Sequence, residues 1–147
     1  MRRSAYIAVL SVLMLVACIR PGGQEGVATI PAQGVGGDIS SDLEAIRAVV
    51  ASYWGAFNSY DLERTLSFLE PAYREEQAET IAGEIRRLKL FGVKMGVSEE
   101  SEPSFLSPEE AELIVKLAVP FRDRRVYQHL VKIDGIWKID VSMEIKE

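Results

Sequence analysis

The hydrophobic period of the chain changes at Gly92, and this change limits the folds that the sequence can adopt. Before Gly92, apolar residues recur at the spacing of an amphipathic helix. After it, apolar and polar residues alternate, as in a strand with one buried face. Asp134-Gly135 then marks a tight hairpin. This order predicts an α+β fold in which three N-terminal helices pack on one face of an antiparallel sheet.

A capping box, Ser41-Asp42-Leu43-Glu44, opens the first predicted helix. In such a box the serine oxygen accepts a hydrogen bond from a backbone amide, and the glutamate reaches back to the start of the helix. The helix is expected to end near Asn58. Its apolar residues fall on one stripe: Leu43, Ile46, Val50, Tyr53, Trp54 and Phe57.

Two shorter helical patterns follow. Asp61 is expected to cap a second helix, which ends before Pro71 because the residue before a proline leaves the helical region. A third helix is predicted over residues 75–90, with Gly92 ending it. Its last turns are basic, which suits the negative end of the helix dipole.

The remainder is predicted to form strands. They cover residues 93–97, 113–121, 126–133 and a segment from 136 onward, with an acidic loop at 99–110 and a hairpin turn at 122–125. With Asp134 and Gly135 as the loop, Ile133 faces Ile136 and Leu130 faces Ile139. In the same register, His129 faces Asp140.

Residues 1–17 are predicted to be a lipoprotein signal peptide. Two arginines precede an apolar run of about a dozen residues, whereas a membrane-spanning helix needs roughly 20. Leu15-Val16-Ala17-Cys18 resembles the bacterial lipobox, in which the cysteine sulfur receives a diacylglyceryl group. Because Cys18 is the only cysteine, an internal disulfide is excluded. Ordinary secretion and a retained N-terminal anchor are the alternatives.

The rest of the chain divides into a tether and a domain. Residues 18–39 are rich in glycine and proline and predict a flexible tether, and residues 40–147 predict one domain. Removal of residues 1–17 takes away Arg2 and Arg3 and shifts the formal charge from −5 to −7. We therefore expect a membrane anchor at Cys18 and an extracytoplasmic location, with no nucleic-acid role and no electrostatic docking onto the membrane.

Two segments resemble the nuclear transport factor 2-like (SnoaL-like, cystatin-like) superfamily. They are YWGAFNSYDLERTLSFLEPAYR at residues 53–74 and YQHLVKIDGIWKID at residues 127–140. The closest likeness is to bacterial secreted lipoproteins of unassigned role. The resemblance implies a cone, in which a curved sheet wraps around helices and often leaves a pocket. Some relatives use the cone for binding or dimerisation, whereas ketosteroid isomerase and the SnoaL-like cyclases use it for catalysis.

Few residues offer acid–base chemistry. His129 is the only imidazole, and Asp140 opposite it forms the kind of pair that orients a general base. The predicted register places both on the face away from Trp137, so we favour a surface pair. Asp61 stands where the superfamily often has an aspartate, but helix capping explains it. No catalytic residue is therefore assigned.

Aromatic side chains are the candidates for a pocket inside the cone. Packing in a filled core is the favoured alternative, because each ring buries about 150 to 250 Å². The possible pocket-lining residues are Tyr53, Trp54, Phe57, Tyr60, Tyr73, Phe91, Leu130 and Trp137.

Charged clusters point to no cofactor. Arg122, Arg124 and Arg125 are interpreted as a solvated hairpin tip, with a grip on an anion as the alternative. The acidic residues of 99–112 lack the spacing and glycine of a calcium loop, so no metal site is predicted.

We therefore expect a lipid-anchored, non-catalytic binding or interaction module of the cell envelope. A homodimer or an envelope partner would bind the sheet face that carries Tyr127, His129, Val131, Ile133 and Ile136. The alternative is a binder of small apolar ligands, or an isomerase- or cyclase-like enzyme, that uses the cone.

Overall fold

A computed structural model describes residues 38–146. In this part of the chain, three helices precede five strands, and the strands form one antiparallel sheet in the order β1-β3-β4-β5, with β2 also pairing with β3. The α+β prediction is confirmed. The elements are α1 (Ile39–Asn58), α2 (Leu62–Ser67), α3 (Pro71–Phe91), β1 (Gly96–Glu99), β2 (Ser104–Ser107), β3 (Glu110–Val119), β4 (Arg122–Ile133) and β5 (Ile136–Glu144).

Helix α1 ends at Asn58 as predicted, but the capping box at its start is wrong. The helix begins at Ile39, and the N-cap is Asp38, whose side chain makes no capping hydrogen bond. Ser41 therefore lies inside the first turn and cannot be the cap. The first turn is held by a tertiary contact, because the Asp42 carboxylate accepts hydrogen bonds from the sheet.

Helix α3 begins four residues earlier than the predicted start at 75. Pro71 occupies its first position, and the Glu70 carboxylate accepts a hydrogen bond of 2.8 Å from the backbone N–H of Tyr73. A proline suits this position because its φ is already helical and its missing N–H has no partner to lose. Pro71 therefore starts α3, and the residue before it, Glu70, is extended as expected before a proline. Gly92 ends α3 as predicted, at a φ of 62°.

The predicted loop 99–110 contains a strand, β2. Phe105 pairs with Ala111 of β3, and its ring lies 6.1 Å from that of Trp137. The four residues of β2 are too few to show a reliable alternation, so the prediction of a loop was wrong. β1 also begins later than predicted, at Gly96.

The β3–β4 turn lies at Pro120-Phe121 and not at residues 122–125. Val119 pairs with Arg122, so all three arginines of the predicted turn belong to β4. Phe121 adopts a positive φ of 80° and is fully exposed. The arginines misled the prediction because charged side chains also suit the exposed positions of a strand. Pro120, which has no N–H for the ladder, was the better turn signal.

The β4–β5 hairpin has the predicted loop. Asp134 and Gly135 adopt φ values of 50° and 78°, the left-handed pair that this tight turn requires. The core lies between the helices and one face of the sheet. It contains Ile46, Val50, Tyr53, Trp54, Phe57, Leu69, Ile81, Ile85, Ala111, Leu113, Val115, Leu117, Val126, Leu130, Trp137 and Ile139.

Candidate functional site

Five of the possible pocket-lining residues lie in this core. Tyr53, Trp54 and Phe57 project from α1 with exposed fractions of 3, 6 and 3%. The rings of Tyr53 and Trp54 meet edge to face at 4.9 Å. Leu130 and Trp137 are buried on the opposite side, in the sheet. These side chains therefore pack against one another where a pocket in the cone would lie.

The other three residues are not buried in this core, although Tyr60 and Tyr73 pack against it. Tyr60 has a φ of 60°, and its hydroxyl donates to the carbonyl of Val93 at 3.0 Å, which ties the end of α1 to the segment after α3. The Tyr73 hydroxyl donates to the carbonyl of Ser142 at 3.0 Å and accepts from its N–H at 2.9 Å. Phe91 is 74% exposed at the end of α3, so it is not grouped with the core aromatics.

A buried glutamine, which the sequence analysis missed, lies on the helix-facing side of the sheet. Gln128 is fully buried, and its side-chain N–H donates to the Ser142 hydroxyl at 3.3 Å. Its side-chain carbonyl oxygen has no hydrogen-bond partner among the described residues. Burial raises the pKa of the nearby Tyr53 phenol, so this hydroxyl stays protonated. The alternation of buried residues at Val126 and Leu130 was the sequence signal that could have placed Gln128 on the buried face.

Asp61 caps α2 as predicted. Its carboxylate accepts a hydrogen bond of 3.0 Å from the backbone N–H of Arg64. The residue is exposed, and capping accounts for its position.

His129 and Asp140 meet on the side of the sheet away from the core. The Nδ1 of His129 lies 2.6 Å from a carboxylate oxygen of Asp140, and the side chains are 17 and 26% exposed. The predicted register is correct at Ile133–Ile136 and Leu130–Ile139, but His129 pairs with Val141. Asp140 is the extra residue of a β-bulge, which keeps it beside the imidazole despite the changed register.

A second polar pair lies next to the first. The Tyr127 hydroxyl donates to the Glu112 carboxylate at 2.9 Å. Burial, and then this carboxylate, raise the pKa of Tyr127. Glu112 is also the cross-strand neighbour of His129. The two pairs therefore form one polar row across β3, β4 and β5.

Apolar side chains surround this row, and together they form a surface that we name the outer face. Ile133, Ile136 and Met143 are 38, 59 and 54% exposed, which is high for side chains of this size. The outer face comprises Glu110, Glu112 and Ile114 on β3, Tyr127, His129, Val131 and Ile133 on β4, and Ile136, Lys138, Asp140, Val141 and Met143 on β5.

The arginines of β4 line an open cleft near the turn of the β3–β4 hairpin. Arg122 and Arg124 both lie 3.6 Å from the Glu144 carboxylate, and the Nε of Arg125 donates to Glu100 at 2.8 Å. The cleft has a volume of about 670 Å³ and is lined by acids as well as bases. Among the described residues, four of its five cations, all except Lys146, form ion pairs with its three carboxylates.

Residues 38–146 carry neither a metal-ligand cluster nor a membrane-spanning helix. They contain no cluster of three or more histidine, cysteine, aspartate or glutamate side chains that would hold a metal ion. None of their helices is long and apolar enough to cross a bilayer. Cys18, the signal segment 1–17 and nearly all of the tether lie outside the described residues, so lipidation remains a prediction.

Comparison with known proteins identifies the fold. No protein-family model matches the sequence, and no curated protein matches it. Among solved structures, a nuclear transport factor 2-like protein of unknown function from Shewanella oneidensis MR-1 matches 70% of this chain and 98% of its own, at 14% identity and a TM-score of 0.54. A domain with a cystatin-like fold from Nostoc punctiforme matches 74% and 78%, at 18% identity and a TM-score of 0.57.

A third structure, from Novosphingobium aromaticivorans, is provisionally named a scytalone dehydratase. It matches 74% of this chain and 91% of its own, at 15% identity and a TM-score of 0.50. Such identities establish a shared fold and leave activity open, because one fold carries many functions. Residues 38–146 therefore form a domain with the nuclear transport factor 2-like fold.

Proposed function

We propose that this chain is a lipid-anchored extracytoplasmic protein whose domain acts as a non-catalytic interaction module. The observation that carries the proposal is the outer face, where Ile133, Ile136 and Met143 are exposed beside two satisfied polar pairs. The proposed occupant of this face is a second copy of the chain. The lipobox-like Leu15–Cys18 segment supports the anchor.

The composition of the outer face suits burial under another protein. Within each of its two polar pairs, Tyr127–Glu112 and His129–Asp140, the two side chains are hydrogen-bonded to each other. Covering them therefore leaves few unpaired polar groups, which are the usual cost of burying polar surface. The apolar side chains around them gain from removal of water.

The size of the face favours a weak dimer. β3, β4 and β5 have 10, 12 and 9 residues. At about 3.3 Å per residue and about 4.8 Å between strands, the whole outward side of these strands, including residues 122–125 beyond the outer face, presents about 500 Å². Two copies would therefore bury at most about 1,000 Å², near the lower limit of specific interfaces. Dissociation constants in the micromolar range are expected, and a shared membrane tether would raise the local concentration of copies.

Sedimentation equilibrium of the chain from residue 18, with Cys18→Ser to prevent lipidation, tests the pairing. The reference protein should show a monomer–dimer equilibrium, and Ile136→Lys with Met143→Lys should shift it to monomer. Leu90→Lys is the matched control, because Leu90 is equally apolar and 77% exposed on α3. A reference protein that stays monomeric at millimolar concentration would contradict the pairing, as would equal dimerisation of the double variant.

The anchor has its own test. In cells, the wild-type protein should fractionate with membranes, and Cys18→Ser should lose that retention because one sulfur carries the whole lipid. Ala17→Ser is the control, since serine is also small. Equal membrane retention of wild type and Cys18→Ser would contradict the anchor and would not bear on the pairing of the outer face.

The interior favours a second, weaker candidate, a small-ligand binder. The Gln128 carbonyl oxygen is fully buried without a donor, and a ligand N–H or O–H would satisfy it. The similar structure provisionally named a scytalone dehydratase is consistent with an enzyme on this fold. Against catalysis, the buried side chains of the described residues include no carboxylate and no imidazole. Their polar groups include Thr65, Gln128 and the Tyr53 phenol, whose pKa is raised by burial so that it stays protonated. Binding of the dye anilinonaphthalene sulfonate, lost in Gln128→Leu, would favour this candidate.

A further inference from the structure

The end of helix α3 carries a cluster of cations around two exposed apolar side chains, and we name residues 86–94 the α3 tip. Leu90 and Phe91 are 77 and 74% exposed. Four cations of this segment are exposed as well: Arg86, Arg87, Lys89 and Lys94. Residues 86–94 contain no acid. The cluster therefore comprises these four cations together with Leu90 and Phe91. None of the four cations has an ion-pair partner among the described residues.

Helical spacing places four of these side chains on a common surface. Leu90 follows Arg86 by four residues and Arg87 by three, so the three share one face of the helix. Phe91 follows Arg87 by four residues and extends the same surface. The buried side chains of this helix, Ile81 and Ile85, lie on another face. The apolar pair is therefore presented to solvent between cations.

The α3 tip is closed by backbone hydrogen bonds and is tied to helix α1. The backbone N–H of Gly92 donates to the carbonyl of Lys89 at 3.2 Å, and the N–H of Val93 donates to the carbonyl of Leu88 at 2.9 Å. These are the two bonds of a Schellman motif. The segment that follows is tied to the end of α1. Asn58 donates to the carbonyl of Met95 and accepts from its N–H, both at 2.8 Å. The exposure of Leu90 and Phe91 is thus a fixed property of the fold.

We propose that the α3 tip docks onto the anionic surface of the membrane that holds the protein, with Leu90 and Phe91 entering the interface and the cations meeting lipid head groups. Basic side chains around exposed leucine and aromatic residues are the composition of interfacial membrane-binding segments. Helix-dipole stabilisation accounts for Lys89 at the helix end but not for the exposed apolar pair. Such docking departs from the expectation of no electrostatic docking onto the membrane. That expectation rested on the overall charge of −7, whereas head groups within a Debye length sense the local cluster of cations.

Docking rests in part on the proposed tether, because a lipid at Cys18 would keep the α3 tip close to a bilayer. A single surface cluster binds weakly when free in solution, and a tether compensates for this. Vesicle binding of the unlipidated chain is nonetheless measurable, so the test does not depend on the anchor. It is also independent of the outer face, which lies on the sheet.

Vesicle flotation of the Cys18→Ser chain from residue 18 tests the proposal. Vesicles of phosphatidylcholine are compared with vesicles containing about one third phosphatidylglycerol. Each cation near an anionic surface is worth roughly fivefold in partitioning, so the triple variant Arg86→Gln, Arg87→Gln, Lys89→Gln should bind the anionic vesicles roughly 100-fold less well. The variant Leu90→Ser with Phe91→Ser should lose roughly tenfold.

A control variant separates the α3 tip from net charge. Arg64→Gln, Arg74→Gln, Lys146→Gln removes the same charge from exposed positions elsewhere and should retain binding. Circular dichroism should show that every variant is folded, as expected for exposed side chains. Equal binding to both kinds of vesicle, or equal loss in the two triple variants, would overturn the proposal. It would also be overturned if the Leu90 and Phe91 changes altered only self-association, since the occupant would then be a second copy.

Discussion

Asp42 should be the most important single carboxylate for stability in the described domain. Its carboxylate accepts hydrogen bonds from the Nζ of Lys132 at 2.6 Å and from the Nε1 of Trp137 at 3.0 Å. These contacts join the first turn of α1 to both strands of the last hairpin. The Lys132 side chain is 24% exposed and Trp137 only 2%, so water would replace the lost bond at Lys132 more easily than at the indole N–H of Trp137.

The cost of Asp42→Ala follows from these two bonds. A hydrogen bond to a charged group contributes about 1.5 to 3 kcal/mol, and an unsatisfied buried N–H adds about 1 kcal/mol or more. At the low end of each range, the two bonds and the unsatisfied N–H predict a loss of about 4 kcal/mol in the free energy of unfolding, which lowers Tm by roughly 20 °C for a domain of this size. Urea unfolding followed by tryptophan fluorescence measures the first value, and calorimetry the second.

The pH dependence gives an independent check. Hydrogen bonds from Lys132 and then from Trp137 hold the pKa of Asp42 below its usual value. Because the folded pKa is the lower one, this stabilisation is present above the unfolded pKa of about 3.9 and is lost as the pH falls through the folded value. Asp42→Asn should therefore lose less stability than wild type between about pH 5 and pH 2.

Asp38→Ala is the matched control, because Asp38 is the N-cap of α1 but its side chain makes no capping bond. It should change stability by less than about 0.5 kcal/mol. If Asp42→Ala costs no more than Asp38→Ala, the contact with the hairpin contributes little and the reasoning is refuted.

Three further predictions concern local structure. Asp61→Ala should cost about 1 kcal/mol in urea unfolding, whereas Ser41→Ala should be nearly neutral; a cost of about 1 kcal/mol at Ser41 would restore the capping box. Tyr73→Phe should lose about 1 to 2 kcal/mol, because one hydroxyl serves both the N–H and the carbonyl of Ser142, and an unchanged midpoint would show that water replaces it. Gly135→Ala should cost about 1 kcal/mol at its φ of 78°, and a stabilising effect would contradict the turn assignment.

The strongest sequence signals were local and periodic, and those predictions agreed with the structure. The stripe of α1, the Asp61 cap, the Gly92 stop and the Asp134-Gly135 loop all depend on a few neighbouring residues. Each is stabilised by short-range geometry, namely helical spacing, a capping bond or a positive φ. The order of the helices and of four of the five strands followed from them, whereas β2 was missed.

The bulge at Asp140 depends on distant residues and was not visible in the sequence. Next to it, Ile139 exchanges backbone hydrogen bonds with the α2–α3 connection, receiving one from Glu70 at 2.8 Å and donating one to Phe68 at 3.0 Å. A contact across so many residues leaves no local pattern around 140. The pairing of His129 with Asp140 was nevertheless expected, because a single inserted residue keeps the two side chains adjacent.

The candidate site was predictable in part. Alternation placed His129 and Tyr127 on the outer face, but the bond between Tyr127 and Glu112 required the register of β3 against β4. Gln128 was missed because the candidate residues were chosen among ionisable and aromatic side chains, and its side chain is a neutral amide. Phe91 was grouped with the possible pocket-lining aromatics, but it is the last residue of α3 and is 74% exposed, whereas the buried residues of that helix are Ile81 and Ile85.

Mass spectrometry of the N-terminus tests most directly whether the protein is anchored as proposed. Digestion after glutamate of the protein extracted from membranes should release residues 18–25, with a diacylglyceryl group on the Cys18 sulfur. Recovery of the same peptide with a free thiol, or of a peptide that begins within residues 1–17, would contradict the anchor.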